Sequence, residues 1–159
     1  MEYRVGTGTD AHGLADDRDL ILGGVSIPHP RGLAGHSDGD VLSHAIIDAL
    51  LGAAGAGDIG MHFPPGDPSL AGISSLLLLE RTASVLGADG WCIVNVDATI
   101  LAQRPRLSPH AADMRNNIAS ALSVEPPQIS VKATTTDYLG FTGREEGIAA
   151  TAVALLSRP

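Results

Sequence analysis

The stretch that most restricts the fold runs from His36 to Ala54, HSDGDVLSHAIIDALLGAA. From Asp40 onward, Val41, Leu42, Ala45, Ile46, Ala49, Leu50 and Ala53 return at three- and four-residue steps, the period of a helix with a buried face. Asp40, His44 and Asp48 stand at i, i+4 and i+8, so they form one polar stripe along that helix. Ser37, three residues before Asp40, has the spacing of a capping box, and the free N–H groups and positive dipole of a helix start attract an anion. On its own the stretch is compatible with a metal or phosphate site, and equally with a capped helix bearing a solvated acidic edge.

Around this helix the chain predicts short strands and further helices. Tyr3, Val5, Thr7 and Thr9 alternate with smaller residues as a strand that runs into Asp10-Ala11-His12, and period two places Asp10 and His12 on one side. Leu20–Leu22, the pair Gly23-Gly24 and Val25–Ile27 read as a hairpin ended by Pro28 and Pro30. Residues 55–72 are rich in Gly, Pro and Asp and predict a long loop, a length that usually carries function or is disordered. A second helix is expected from Ser74 to Leu86 with Gly87 as its stop, and a third from Ser108-Pro109 with Met114, Ile118 and Leu122 inward, closed by Pro126-Pro127. Between them residues 91–102 predict a strand with Cys92, Val94, Val96, Ala98, Ile100 and Ala102 on one face and Asn95, Asp97 and Thr99 on the other. Ile129, Val131 and Ala133 alternate as another strand. Residues 147–156 stay open: alanine favours helix, while the Ile148, Ala150, Ala152, Ala154 alternation permits a strand.

With 159 residues the chain has the size of one ordinary domain and needs no metal or disulfide staple to build a core. No apolar run approaches the roughly 20 residues of a membrane span. A net charge of −8 argues against a nucleic-acid surface and repels small polyanions, so any phosphate substrate needs local cations. Aromatics at 3% leave no base-stacking platform. A lone Cys92 excludes an internal disulfide, and Met1-Glu2-Tyr3-Arg4 lacks the apolar core of a signal peptide; the expected location is the cytoplasm.

Asp10, His12 and His44 together offer one carboxylate and two imidazoles, a set that suits Zn²⁺ with a fourth position open. Asp-x-His alone is commonly an ordinary hydrogen-bonding pair at a strand end. Downstream, the runs Lys132–Asp137 and Leu139–Arg144 supply hydroxyls, backbone amides and a guanidinium suited to phosphate oxygens, or else form a Thr-rich strand end followed by a Gly turn. His29, His62 and His110 have no spacing partner and read as loop residues.

Taken in order, Asp10-Ala11-His12, HSDGDVLSH at 36–44, DALLGAAGAGDIG at 48–60, Ala102-Gln103 and KATTTDYLGFTGR at 132–144 resemble the 2-C-methyl-D-erythritol 2,4-cyclodiphosphate synthase family over nearly the whole chain. The resemblance implies one α+β domain over residues 1–159, with a mixed four-stranded sheet covered on one face by helices, assembled as a homotrimer with active sites at the subunit interfaces. It implies a lyase that converts 4-diphosphocytidyl-2-C-methyl-D-erythritol 2-phosphate to the cyclic diphosphate and CMP in the non-mevalonate isoprenoid pathway. By similarity Asp10, His12 and His44 hold zinc, and Asp10 and His12 also touch substrate. His36 and Ser37 would hold the methylerythritol and phosphate end, with His36 and Thr135 stabilising the transition state. Asp58, Ile59, Gly60, Phe63 and Asp67 would meet the ribose and methylerythritol. Ala102, Gln103, Arg104, Pro105, Arg106, Thr134 and Thr135 would cradle cytosine and diphosphate from the neighbouring subunit, with Thr136, Phe141 and Arg144 as further contacts. Asp137 would bind a second cation, Mg²⁺ or Mn²⁺.

Three positions depart from the family pattern. Asp137 stands where Glu is usual, Pro65-Gly66 where an acidic residue is frequent, and Glu145 where Gly is common. Asp137 is one methylene shorter and favours a bridging water; Glu145 adds negative charge near the implied trimer axis and disfavours an isoprenoid diphosphate there. A phosphate monoester with a second pKa of about 6 is already largely dianionic at neutral pH, so the implied attack needs no general base. Asp40 and Asp48 keep supporting roles. The alternatives are a zinc phosphohydrolase and a trimeric zinc- and nucleotide-binding module without catalysis; no nucleic-acid or membrane partner is expected.

Overall fold

A computed structural model describes all residues, Met1–Pro159. In chain order it contains β1 (Glu2–Ala15), β2 (Leu20–Leu22), β3 (Val25–Ile27), β4 (Gly32–Leu33), α1 (Val41–Ala54), α2 (Ile59–His62), α3 (Ser75–Ala88), β5 (Cys92–Leu101), α4 (Ala111–Leu122), β6 (Ile129–Thr134), α5 (Gly140–Gly143) and β7 (Gly147–Arg158). One sheet has the order β4-β1-β7-β5-β6, and β2-β3 form a separate hairpin. β7 is antiparallel to β1 and to β5, while β5 and β6 are parallel and joined by α4, as a parallel pair requires. The expected mixed sheet of four long strands is therefore present. A fifth, the two-residue β4, pairs with the end of β1.

The helix α1 lies over β1 and β7, and small residues set how close it comes. A Cβ on Gly8 would stand 1.9 Å from the Ala45 carbonyl oxygen, and one on Gly6 2.1 Å from that of Ala49. Gly6, Gly8, Asp10 and His12 share the β1 face turned to this helix, opposite Ala154, Ala152, Ala150 and Ile148 of β7. The larger members of the β1 alternation point the other way: Tyr3 is 59% and Val5 66% exposed. Burial under α1 also settles the ambiguous C-terminal segment. Its alanines form the central strand, because tertiary packing outweighs their helical preference.

Several local expectations are corrected. Asp40, not Ser37, caps α1, accepting from the Ser43 N–H at 3.0 Å and the Ser43 hydroxyl at 2.8 Å. Asp40 is fully buried and also accepts from the N–H groups of Gly23 and Gly24, so it clamps the β2–β3 turn onto the helix start instead of standing on a solvated edge. In β5 the register shifts between Ile93 and Asn95, and this bulge turns Cys92 out to solvent while Ile93 packs on the core. Gly87 lies inside α3, which continues to Ala88. Residues 55–72 are not an unbroken loop: α2 and a 3-10 turn at Pro68–Leu70 occupy much of it, and His62 ends α2. His110 likewise ends a 3-10 turn, Ser108–His110.

Ser123, Asp137, Tyr138 and Glu145 are among the non-glycine residues with positive φ. Glu145, at φ 58°, explains locally why Gly suits this position. No helix is long and apolar enough to cross a membrane.

Candidate active site

The close approach of β1 and α1 brings Asp10 and His12 against His44. Their ligating atoms all lie within 4.8 Å of one another: His12 Nε2 is 2.7 Å and His44 Nδ1 3.1 Å from Asp10 Oδ2, and the two imidazole nitrogens are 3.2 Å apart. For His12 the other ring nitrogen fixes what the ring offers. His12 Nδ1 stands 2.5 Å from the Ala34 carbonyl oxygen, which only accepts, so Nδ1 carries the proton and Nε2 a lone pair in the neutral ring. His44 Nε2 faces the hydroxyls of Ser75 at 3.0 Å and Ser37 at 3.1 Å. A carboxylate oxygen and two imidazole nitrogens thus converge on one point and require a positive charge there.

The titration of the group carries the same message. Burial works to raise the Asp10 carboxyl, but the hydrogen bonds and charges of His12 and His44 outweigh it and hold Asp10 well below the usual carboxylate range. His12 is raised, chiefly by its hydrogen bond to Asp10 against the opposing effect of burial. Without a metal, the cluster gathers a proton; a divalent cation satisfies the same three acceptors. One carboxylate and two imidazoles fit Zn²⁺ with a further position free.

This cluster opens into a cavity of about 240 Å³, also lined by His36, Ser37, Ile59, Gly60, Phe63, Pro65, Leu70, Ile73 and Leu78. Nearby backbone is held by Arg18, whose guanidinium donates to the carbonyls of Leu33, Gly35 and Ser37 at 3.0, 3.1 and 3.2 Å. His36 Nε2–H donates to the Asp67 carbonyl at 2.7 Å, tying the loop before α1 to the 3-10 turn. Asp48 accepts from the Ile59 N–H at 2.8 Å and anchors the start of α2. Burial raises its carboxyl, as do the charges of Asp58 and Asp10, against the Ile59 hydrogen bond.

A second cavity, about 480 Å³, lies where β5 and β6 end. Ala102, Gln103, Arg104, Pro105, Arg106, Leu107, Ser108, Ala133, Thr134 and Thr135 line it. Ligands of open sheets bind beyond the C-terminal ends of parallel strands, and two guanidiniums here suit an anionic one. No residue lines both cavities, so within one chain the expected substrate contacts that line a cavity fall into two separate groups.

The remaining expected site residues line neither. Asp58 and Asp67 spend a carboxylate oxygen on capping, of Met61 N–H and Ser69 N–H respectively. Thr136 bonds to Leu139 and Thr142; Asp137 has only the Thr135 hydroxyl at 3.3 Å as a side-chain partner. The Tyr138 N–H reaches Gln103 Oε1 at 3.0 Å, linking this turn to the second cavity. Phe141 is exposed, and Arg144 is paired with Glu146 at 2.9 Å in solvent. Pattern reasoning missed Arg18, Asp38 and Ser75. The one sequence signal near Ser75, a Ser pair opening a helix, points to capping and says nothing of His44.

A model of the YgbB family matches residues 3–157. The 2-C-methyl-D-erythritol 2,4-cyclodiphosphate synthase of Syntrophomonas wolfei is 58% identical over 155 residues, 98% of this chain and 99% of that protein. Among solved structures, the bifunctional IspDF from Campylobacter jejuni superimposes with a TM-score of 0.95 at 41% identity, over 99% of this chain and 43% of that one. The CDP complex of IspF from Plasmodium falciparum gives 0.85 at 34% identity, over 98% and 96%. The chain belongs to the YgbB family, the family of the 2-C-methyl-D-erythritol 2,4-cyclodiphosphate synthases.

Proposed function

We propose that this chain is a cyclising lyase that closes 4-diphosphocytidyl-2-C-methyl-D-erythritol 2-phosphate to the 2,4-cyclodiphosphate and releases CMP. An oxygen of the 2-phosphate forms a bond to the β-phosphorus, and the bond from that phosphorus to the α,β-bridging oxygen breaks with its electron pair leaving on CMP. The observation that carries this reading is the convergence of Asp10, His12 and His44, whose ligating atoms all lie within 4.8 Å of one another.

Zn²⁺, when bound to these three residues, supplies a Lewis acid for a phosphate oxygen. Everything else is positioning of a polyanion and offsetting its charge. His36 and Ser37, which line the metal cavity, hold the 2-phosphate end, and Ile59, Gly60 and Phe63 pack its sugar side. Arg104 and Arg106, with the backbone of Ala102–Pro105, take the cytidine diphosphate portion. Thr135, at the end of β6, donates to the migrating phosphoryl oxygens beside His36. Asp137, exposed in the turn after β6, would hold a second cation, Mg²⁺ or Mn²⁺, which would offset phosphate charge. The two groups of contacts meet when a neighbouring subunit brings its β5–β6 cavity to this metal cavity. A homotrimer built through the uncovered sheet face, where Tyr3, Val5 and Val153 are exposed, provides that arrangement.

Phosphorus NMR of the cytidyl substrate with Zn²⁺ and Mg²⁺ tests the reaction: a cyclic diphosphate and CMP are expected. A linear product would indicate a phosphohydrolase, and nucleotide binding without CMP release a binding module. His44→Ala is expected to lose zinc by metal analysis and turnover with it while keeping the oligomer; retained zinc removes His44 from the ligand set.

A further inference from the structure

We propose that Asp38 and Ser75 form a positioning relay that selects which nitrogen of His44 faces the metal, so that both govern metal affinity without touching the ion. The inference rests on Asp10, His12 and His44 being a metal site. Ser75 opens α3 and is fully buried. Its single hydroxyl proton has two neighbours, Asp38 Oδ1 at 2.5 Å and His44 Nε2 at 3.0 Å. A carboxylate only accepts, so the hydroxyl donates to Asp38. The lone pair left on Ser75 Oγ then faces Nε2 and is satisfied by an N–H. His44 therefore carries its proton on Nε2 and presents the Nδ1 lone pair toward Asp10 and His12.

Asp38 is itself held in place. Its Oδ2 accepts from the Ser75 N–H at 2.9 Å and its Oδ1 also from the Asp40 N–H at 3.1 Å, so the carboxylate cannot turn away without uncapping α3. Ser37 Oγ, also near Nε2, accepts from the Gly39 N–H at 3.3 Å and keeps its own proton for a ligand. The two imidazoles differ in this respect. His12 is oriented by the backbone carbonyl of Ala34, which no side-chain change removes, whereas His44 depends on two side chains.

Losing the partner of a metal-bound histidine typically costs about 10- to 100-fold in metal affinity. Ser75→Ala removes the relay but leaves the backbone N–H on Asp38, and so keeps the α3 cap. Asp38→Ala removes the acceptor, so the Ser75 hydroxyl proton turns to His44 Nε2 and inverts the tautomer. The experiment measures zinc dissociation constants by chelator competition, together with nitrogen-15 imidazole spectra of the metal-free proteins and a thermal melt of each variant. Expected are an Nε2–H tautomer for His44 in the unsubstituted protein, zinc binding weakened about 10- to 100-fold in Ser75→Ala, near-normal binding in Ser75→Thr, and an Nδ1–H tautomer in Asp38→Ala. Unchanged affinity and tautomer in a folded Ser75→Ala overturn the relay. Absence of zinc binding in the unsubstituted protein overturns the metal site instead, and the tautomer spectra then still decide whether the relay operates.

Discussion

Glu145 occupies φ 58°, where an L side chain costs about 1–2 kcal/mol, and the Arg31 guanidinium pins it there by donating to its carbonyl at 2.9 Å. Replacing it with glycine relieves that strain but adds entropy to the unfolded chain, about 0.5–1 kcal/mol. Glu145→Gly is therefore expected to stabilise the protein by about 0.5 kcal/mol in urea denaturation. Asp48 provides a pH signature. Its carboxyl is raised above the ordinary value by burial first, so the folded state holds this proton more tightly than the unfolded one. The penalty is absent below the unfolded value of 3.8, grows as pH rises through the raised folded value, and is complete at neutrality. Asn keeps an oxygen for the Ile59 N–H without the charge. Asp48→Asn is expected to raise Tm at pH 7 relative to the parent, with the gain fading as the pH approaches 3.8; a constant difference across that range would refute the cause given.

At the scale of elements, glycines do opposite things in β1 and α3. Gly8 has no room for a side chain, since a Cβ would meet the backbone of Ala45 and Ala49, and neither strand nor helix yields cheaply. Gly8→Ala is expected to cost about 3 kcal/mol and to weaken zinc binding, because pushing α1 off β1 moves His44 away from Asp10. Gly87 lies within α3 with open space around its missing Cβ, so Gly87→Ala is expected to add about 0.5–1 kcal/mol. Chemical denaturation of both variants checks the pair. The three long helices α1, α3 and α4 are legible because their apolar residues repeat at helical spacing, and the spacing predicts α1 to within a residue, whereas the single-turn α2 and α5 are too short to show a period. What the period could not show was that Asp40 turns into the protein to cap α1 and clamp Gly23 and Gly24. A polar residue on a helical stripe looks the same in sequence whether its partner is water or two distant backbone N–H groups. The same limit hid the β5 bulge: one extra residue reverses every face before it, and nothing in Cys92-Ile93-Val94 marks the insertion.

For the whole molecule, the helices cover one face of the sheet and leave the other with Tyr3, Val5 and Val153 exposed. Val5→Asp on that face is expected to change the stability of an isolated subunit by under about 0.5 kcal/mol, because it lies in solvent there. In the proposed trimer it buries charge between subunits. Sedimentation should then show dissociation, and turnover should fall with it; an intact assembly would place the interface elsewhere.

The sequence by itself determined the local elements with strong periods, the pairing of Asp10 with His12 on one side of β1, and, through several ordered motifs, the family. These are short-range properties, carried by spacing that does not depend on the rest of the chain. Only the tertiary structure decided that residues 147–158 form a central strand, which of the expected site residues line a cavity and which line none, and that Ser75 and Asp38 stand behind His44. Each depends on which backbones come close, and that is set by glycine and alanine packing between β1, β7 and α1, an interaction across more than a hundred residues of chain that no local pattern records.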